Sequence, residues 1–186
     1  MDFNNREDLE NEMNQLMDNL IIPMREEGQV AMTAMLYPDT ERLPSDMRKT
    51  VERSGKDPCL ILPQEAGMGS KEAFYKALSD ITKEMSIRNT FFFSDSWIVI
   101  NETPTTIDVP LSEHPDRKDA LVIQYVNTDS QGFLLHTGQM QVIYEMKNGK
   151  VKELKRFSSF CDNMDADEQN HVSGAIIDAI TNTEWT

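Results

Sequence analysis

Residues 132–160 read GFLLHTGQMQVIYEMKNGKVKELKRFSSF, and this stretch decides the fold. Asn148-Gly149 lies between two runs with alternating apolar residues. Asn-Gly accepts positive φ at both central positions of a two-residue turn, so the pair is a strong hairpin signal. The reading predicts that Met140–Lys147 and Lys150–Phe157 pair directly. Working outward, DALVIQYVN (119–127), an almost wholly apolar run, and FFFSDSWIVIN (91–101) are rich in β-branched and aromatic residues and read as two more strands. Four consecutive strands of this kind predict an antiparallel meander in the second half of the chain.

The period is different further towards the N-terminus. Leu9, Met13, Leu16, Met17, Leu20, Ile21 and Met24 recur at steps of three and four, the stripe of an amphipathic helix interrupted or ended near Pro23. Val30 to Tyr37 reads as a strand closed by Pro38-Asp39, and 38–58 as a long polar excursion with at most one helical turn. Cys59 to Leu62 is a short apolar run. Ser70 is a helix N-cap for a second amphipathic helix, with Ala73, Phe74, Ala77, Leu78, Ile81 and Met85 on its apolar side and its end near Arg88. Asp165 with Glu168 three residues on starts a third, short helix carrying Val172, Ala175, Ile176, Ala179 and Ile180. The expected class is α+β: one domain spanning 1–186, an antiparallel sheet with amphipathic helices packed on one face.

Composition narrows the function classes. A length of 186 residues suffices for one sizeable core. No apolar stretch approaches the roughly 18 residues of a membrane-spanning helix, and MDFNNREDLENE (1–12) is acidic and polar where a signal peptide is basic and then greasy. The expected location is the cytoplasm. Cys59 and Cys161 form no metal-knuckle spacing and read as small buried apolar residues in a reducing compartment. The net charge of −14 opposes direct binding to nucleic acid or to an anionic membrane. Residues 1–27 hold eight acids against Arg6 and Arg25, and 161–186 hold six acids and no Lys or Arg, so the two ends carry −12 of the −14.

The densest polar cluster, Ser112, Glu113, His114, Asp116, Arg117 and Lys118, lies just before the apolar run 119–127. An imidazole among carboxylates suits a general base or one metal ligand, with Arg117 as an anion contact. Equally, Pro115 sets a turn in which Asp116 takes backbone hydrogen bonds and Arg117 pairs locally. No HxH or HExxH spacing accompanies His114, so neither a metal nor a cofactor is expected, and His114 should be held by a local carboxylate or backbone group. His136 and His171 read as structural or exposed, and Trp97 as core packing beside Phe91–Phe93. Gly67-Met68-Gly69-Ser70-Lys71 fails as a phosphate loop, because Gln64 stands where the first glycine belongs and Ser precedes Lys.

Two of these segments occur together in a known pattern. Ser94-Asp95-Ser96-Trp97 and PLSEHPDRKDA (110–120) resemble a group of small proteins of unknown function encoded by tailed bacteriophages and prophages, in which a Ser-Glu-Ala-Trp-like strand precedes a His-Pro-Asp-Arg-Lys-acid segment. The resemblance covers about residues 70–130, with Asp95 and Ser96 departing from the pattern. It implies a viral or prophage source, hence a host-cell cytoplasm, and no activity.

Three functions follow as expectations. The first is an accessory protein, more a binder than an enzyme, that binds a protein partner; the acidic ends serve either solubility or recognition of a basic partner, with Glu7, Glu10, Glu12, Asp165 and Asp167 as the candidate partner surface. The second is a small enzyme or ligand-binding domain using the 112–118 loop. The third is a DNA-mimicking inhibitor using the acidic ends.

Overall fold

The computed structural model describes residues 6–28, 30–54, 59–64, 70–99, 113–128 and 134–162. Six strands form one antiparallel sheet in the order β2-β1-β3-β4-β5-β6, with β1 Thr33–Pro38, β2 Leu60–Pro63, β3 Ile87–Ile98, β4 Lys118–Thr128, β5 Leu134–Lys147 and β6 Lys150–Asp162. The last four run as the meander that alternation predicts. Lys147 pairs Lys150 across a two-residue turn, and Asn148 and Gly149 take φ of 54° and 74°, the positive values that only such a pair adopts at low cost.

The α+β class stands, and the described helices divide between the two faces of the sheet where a single layer was expected. Strand parity explains it. In β1, Met35 and Tyr37 point to one face and Ala34 and Leu36 to the other, and all four are buried. A strand buried on both sides needs cover on both, which is why this run reads as continuously apolar. On the first face, Phe91, Phe93, Leu121, Ile123, Tyr125, Met140, Val142 and Tyr144 pack under the N-terminal helix; on the second, Phe92 and Val126 join Ala34 and Leu36 under Phe74 and Leu78 of α4, Lys71–Met85.

The N-terminal helix is α1, Arg6–Leu16, then a π-helical turn over Met17–Ile21, then α2, Ile22–Glu27. Its buried residues are Leu9, Met13, Met17 and Ile21, one every fourth position. Such a stripe drifts about 40° per step around a helix of 3.6 residues per turn. The π turn, with more residues per turn, takes that drift back and keeps the stripe on the sheet. It also leads directly into Pro23, whose missing N–H is tolerated where the ladder is already displaced. The helix is therefore interrupted, as Pro23 suggests, but continues to Glu27.

Helix ends follow their sequence signals. Ser70 Oγ accepts a hydrogen bond from Ala73 N at 3.2 Å, the expected N-cap, and Ser86 closes α4 in the left-handed region at φ 49°. The polar excursion is more ordered than expected: α3, Ser45–Ser54, is a helix of 10 residues where one turn was foreseen. The predicted C-terminal helix beginning at Asp165 lies outside the described residues.

Candidate functional site

The 113–118 segment is a turn. Asp116 N donates to His114 Nδ1 at 3.2 Å and Arg117 N donates to His114 O at 3.2 Å, so the imidazole is held by local backbone. His114 is half-buried, while Glu113, Asp116, Arg117 and Lys118 are exposed; Ser112 lies outside the described residues. Lys118 opens β4 opposite Ile98, and Asp119 stands opposite Trp97. The two segments that carry the phage-type resemblance meet only at one end, where Ser96 pairs with Ala120 and Trp97 with Asp119. Trp97 is not core: it is 46% exposed, and the Arg117 guanidinium stacks over its ring at 5.1 Å. No group of three or more His, Cys, Asp or Glu suited to a metal ion occurs among the described residues.

Beneath this turn lies a polar knot that the sequence does not advertise. Arg25 Nε donates to the Tyr144 hydroxyl at 2.6 Å and sits 2.8 Å from Asp95 Oδ2, while the Tyr144 hydroxyl donates to Asp95 at 3.0 Å. Burial pushes Tyr144, 2% exposed, up to about 12. Burial also raises the Asp95 carboxyl, with like-charged Asp119 adding to it, and outweighs the Tyr144 hydrogen bond and the Arg25 ion pair. The hydrogen bond to Tyr144 holds Arg25 protonated further above its ordinary range. The knot ties α2 to β3 and β5 through these bonds, with Arg25 Nη1 also donating to Gly28 O at 2.8 Å.

The acidic helix is also partly spent on the fold. It runs along β6, where Asp18 pairs Arg156 at 2.6 Å, Glu26 pairs Lys150 at 2.6 Å and accepts from Val151 N, and Glu10 accepts from Ser158 Oγ. The Lys150 and Val151 hydrogen bonds hold the Glu26 carboxyl below its ordinary value. Glu10 and Glu12 are half-buried and Glu7 is exposed; Asp165 and Asp167 lie outside the described residues. The strand carrying Lys150, Lys152, Lys155 and Arg156 supplies the neutralising charge.

What remains unanswered is apolar. At the far edge of the sheet, α3 stands across an open groove of about 410 Å³ lined by Pro38, Leu43, Asp46, Met47, Thr50, Val51, Cys59, Leu60 and Met85. None of α3 is fully buried: its two apolar residues, Met47 and Val51, one turn apart, face the groove, with Met47 48% exposed. Arg48 holds the helix start, donating to the carbonyls of Glu41 and Leu43. Leu60 is 37% exposed on the opposite wall and Ile61 beside it 64%. Cys59, expected in the core, is an exposed residue of this wall. Its thiol lies against Tyr37 and Leu36, and burial there raises its pKa, which disfavours the reactive thiolate.

Among the described residues, Asp46 is the one charged residue lining the groove, and its carboxylate has no ion-pair partner among them. Sequence reasoning passed over this site because 38–58 is polar in bulk. The signal was present in Pro44-Ser45-Asp46, a helix start, followed by Met47 and Val51 at helical spacing. No described helix is long and apolar enough to cross a membrane. Comparison with protein-family models, with curated proteins and with solved structures gives no match for this chain.

Proposed function

We propose that this chain is a phage-type accessory protein that acts by binding a protein partner, and that it does so through the groove between α3 and β2. One observation carries the reading. Among the described residues, the exposed large hydrophobic side chains of Met47 and Leu60 face each other across one groove whose lining also includes Pro38, Leu43, Val51 and Met85. A contiguous apolar patch rimmed by polar residues is the common mark of a protein-binding site. The enzyme or ligand-site reading of the 112–118 loop is less favoured, because His114 is engaged as a turn acceptor and the carboxylates around it face solvent. The acidic-mimic reading is weakened where Asp18, Glu26 and Glu10 are already bonded to β6. The phage-type source rests on the sequence resemblance of the 94–97 and 110–120 segments.

The experiment is capture from a lysate of the native host with three baits: wild type, Met47→Asp with Leu60→Asp, and Glu7→Gln with Glu12→Gln. A partner held by the wild type and the Gln variant but lost from the Asp variant supports the reading. Capture that survives in the Asp variant and fails in the Gln variant moves the site to the acidic helix.

A further inference from the structure

Resting on that reading, we propose that β2 accepts an added strand from the partner, an extended segment that sends an apolar side chain into the α3 groove and a Lys or Arg to Asp46. The argument begins with parity. Leu60 pairs with Leu36 and Ile61 with Met35, so the two side chains point to opposite faces of the sheet, and both are exposed. A helix or small molecule laid on one face covers one of them. A strand beside β2 covers both, because its own side chains alternate across the same two faces.

The two edges of the sheet differ accordingly. β6 carries Lys150, Lys152, Lys155 and Arg156, charges that discourage a further strand, and it is flanked by the N-terminal helix. β2, LILP, carries no charge, and among the described residues no strand pairs with its outer side. Its brevity and Pro63 limit the main-chain ladder, so affinity has to come from side chains entering the groove. The volume of about 410 Å³ is at the small end for a ligand pocket and takes apolar side chains.

Charge selects the occupant. Asp46, a carboxylate in the groove lining without an ion-pair partner among the described residues, offers a contact to a Lys or Arg of the added segment. A second copy of this chain is disfavoured for the same reason, since β2-to-β2 pairing brings two Asp46 carboxylates and two strongly acidic molecules together.

The test uses two blocked octapeptides of alternating leucine and lysine, one ordinary and one N-methylated on alternate residues, which has the same charge but presents no edge to pair. A leucine-glutamate octapeptide is the charge control. Amide hydrogen exchange of the full chain is followed by NMR at about 0.15 M salt, where surface fields are screened beyond about 8 Å. The ordinary leucine-lysine peptide should slow exchange within Leu60–Leu62 at least tenfold, and the N-methylated and glutamate peptides should not. Asp46→Lys should weaken its binding about three- to fivefold, the range of an exposed ion pair, and Ile61→Lys should abolish the protection while the exposed site keeps the variant folded. Equal binding of the N-methylated peptide, or protection confined to α1, overturns strand addition. So does a concentration-dependent dimer that Ile61→Lys dissolves. In any of these cases, lysate capture that still depends on Met47 and Leu60 leaves the groove as the binding site, so the two failures are distinguishable.

Discussion

Tyr144 shows how one side chain sets the chemistry around it. Its hydroxyl accepts from Arg25 and donates to Asp95, and its folded pKa of about 12 exceeds the ordinary 10. A group raised in the folded state adds stability that is complete below its unfolded pKa and is lost as pH rises through the folded one. Urea unfolding should therefore show about 2–3 kcal/mol lost between pH 10 and 12 that Tyr144→Phe does not lose, although Tyr144→Phe is the weaker protein at pH 7 by about 1–2 kcal/mol. Asp95 is raised as well, so its contribution declines as pH climbs from the ordinary carboxylate value through the higher folded one; Asp95→Asn should flatten that acid limb. At Thr90, fully buried with no hydrogen-bond partner for its hydroxyl among the described residues, Thr90→Val should raise stability by up to about 1 kcal/mol in the same assay, since an unpaired buried polar group costs more than its apolar replacement.

At the scale of elements, what the sequence makes legible is whatever is local and periodic. The Asn148-Gly149 hairpin, the Ser70 cap and the Leu9-to-Met24 stripe all appear where their patterns put them. Non-local pairings leave no trace in any window: Arg25, Asp95 and Tyr144 are far apart in sequence and meet only because α2 crosses the end of β3 and β5. Trp97 misleads for a related reason, since it continues the buried parity of Phe91 and Phe93 but lies past the edge of the helical cover. α3 is missed because its two apolar residues are outvoted by eight polar ones. The loop 112–118, the preferred chemical site on composition, proves to be a turn over the described part. Two substitutions test the element ends. Gly149→Ala, at φ 74°, should cost about 1 kcal/mol, and Ser86→Gly, at φ 49° on the C-cap of α4, should gain up to about 1 kcal/mol, both read as shifts in the midpoint of chemical denaturation. Gly138→Ala should be the more damaging glycine change, because a Cβ there stands 2.9 Å from Phe160 Cδ1 in the packed layer under Leu9; a loss of about 1–3 kcal/mol is expected.

For the whole molecule, the packing that holds the sheet together and the groove proposed for binding lie at opposite ends of the sheet. The β5–β6 end is held by the N-terminal helix through apolar packing and ion pairs such as Asp18–Arg156 and Glu26–Lys150. The β2 end holds the open groove, a helix face left uncovered among the described residues, and an edge strand without charge. Salt should separate the two. Raising ionic strength should slow association with a basic partner, because the field of a −14 chain is screened, yet leave the apolar anchoring and hence dissociation nearly unchanged.

The most direct measurement is hydrogen–deuterium exchange of the full chain alone and bound to its captured partner. If the groove is the binding site, exchange slows over 45–51 and 59–63 on binding, while α1 and the 113–118 turn keep their free rates. Protection confined to α1, or to the 113–118 turn, would contradict the account.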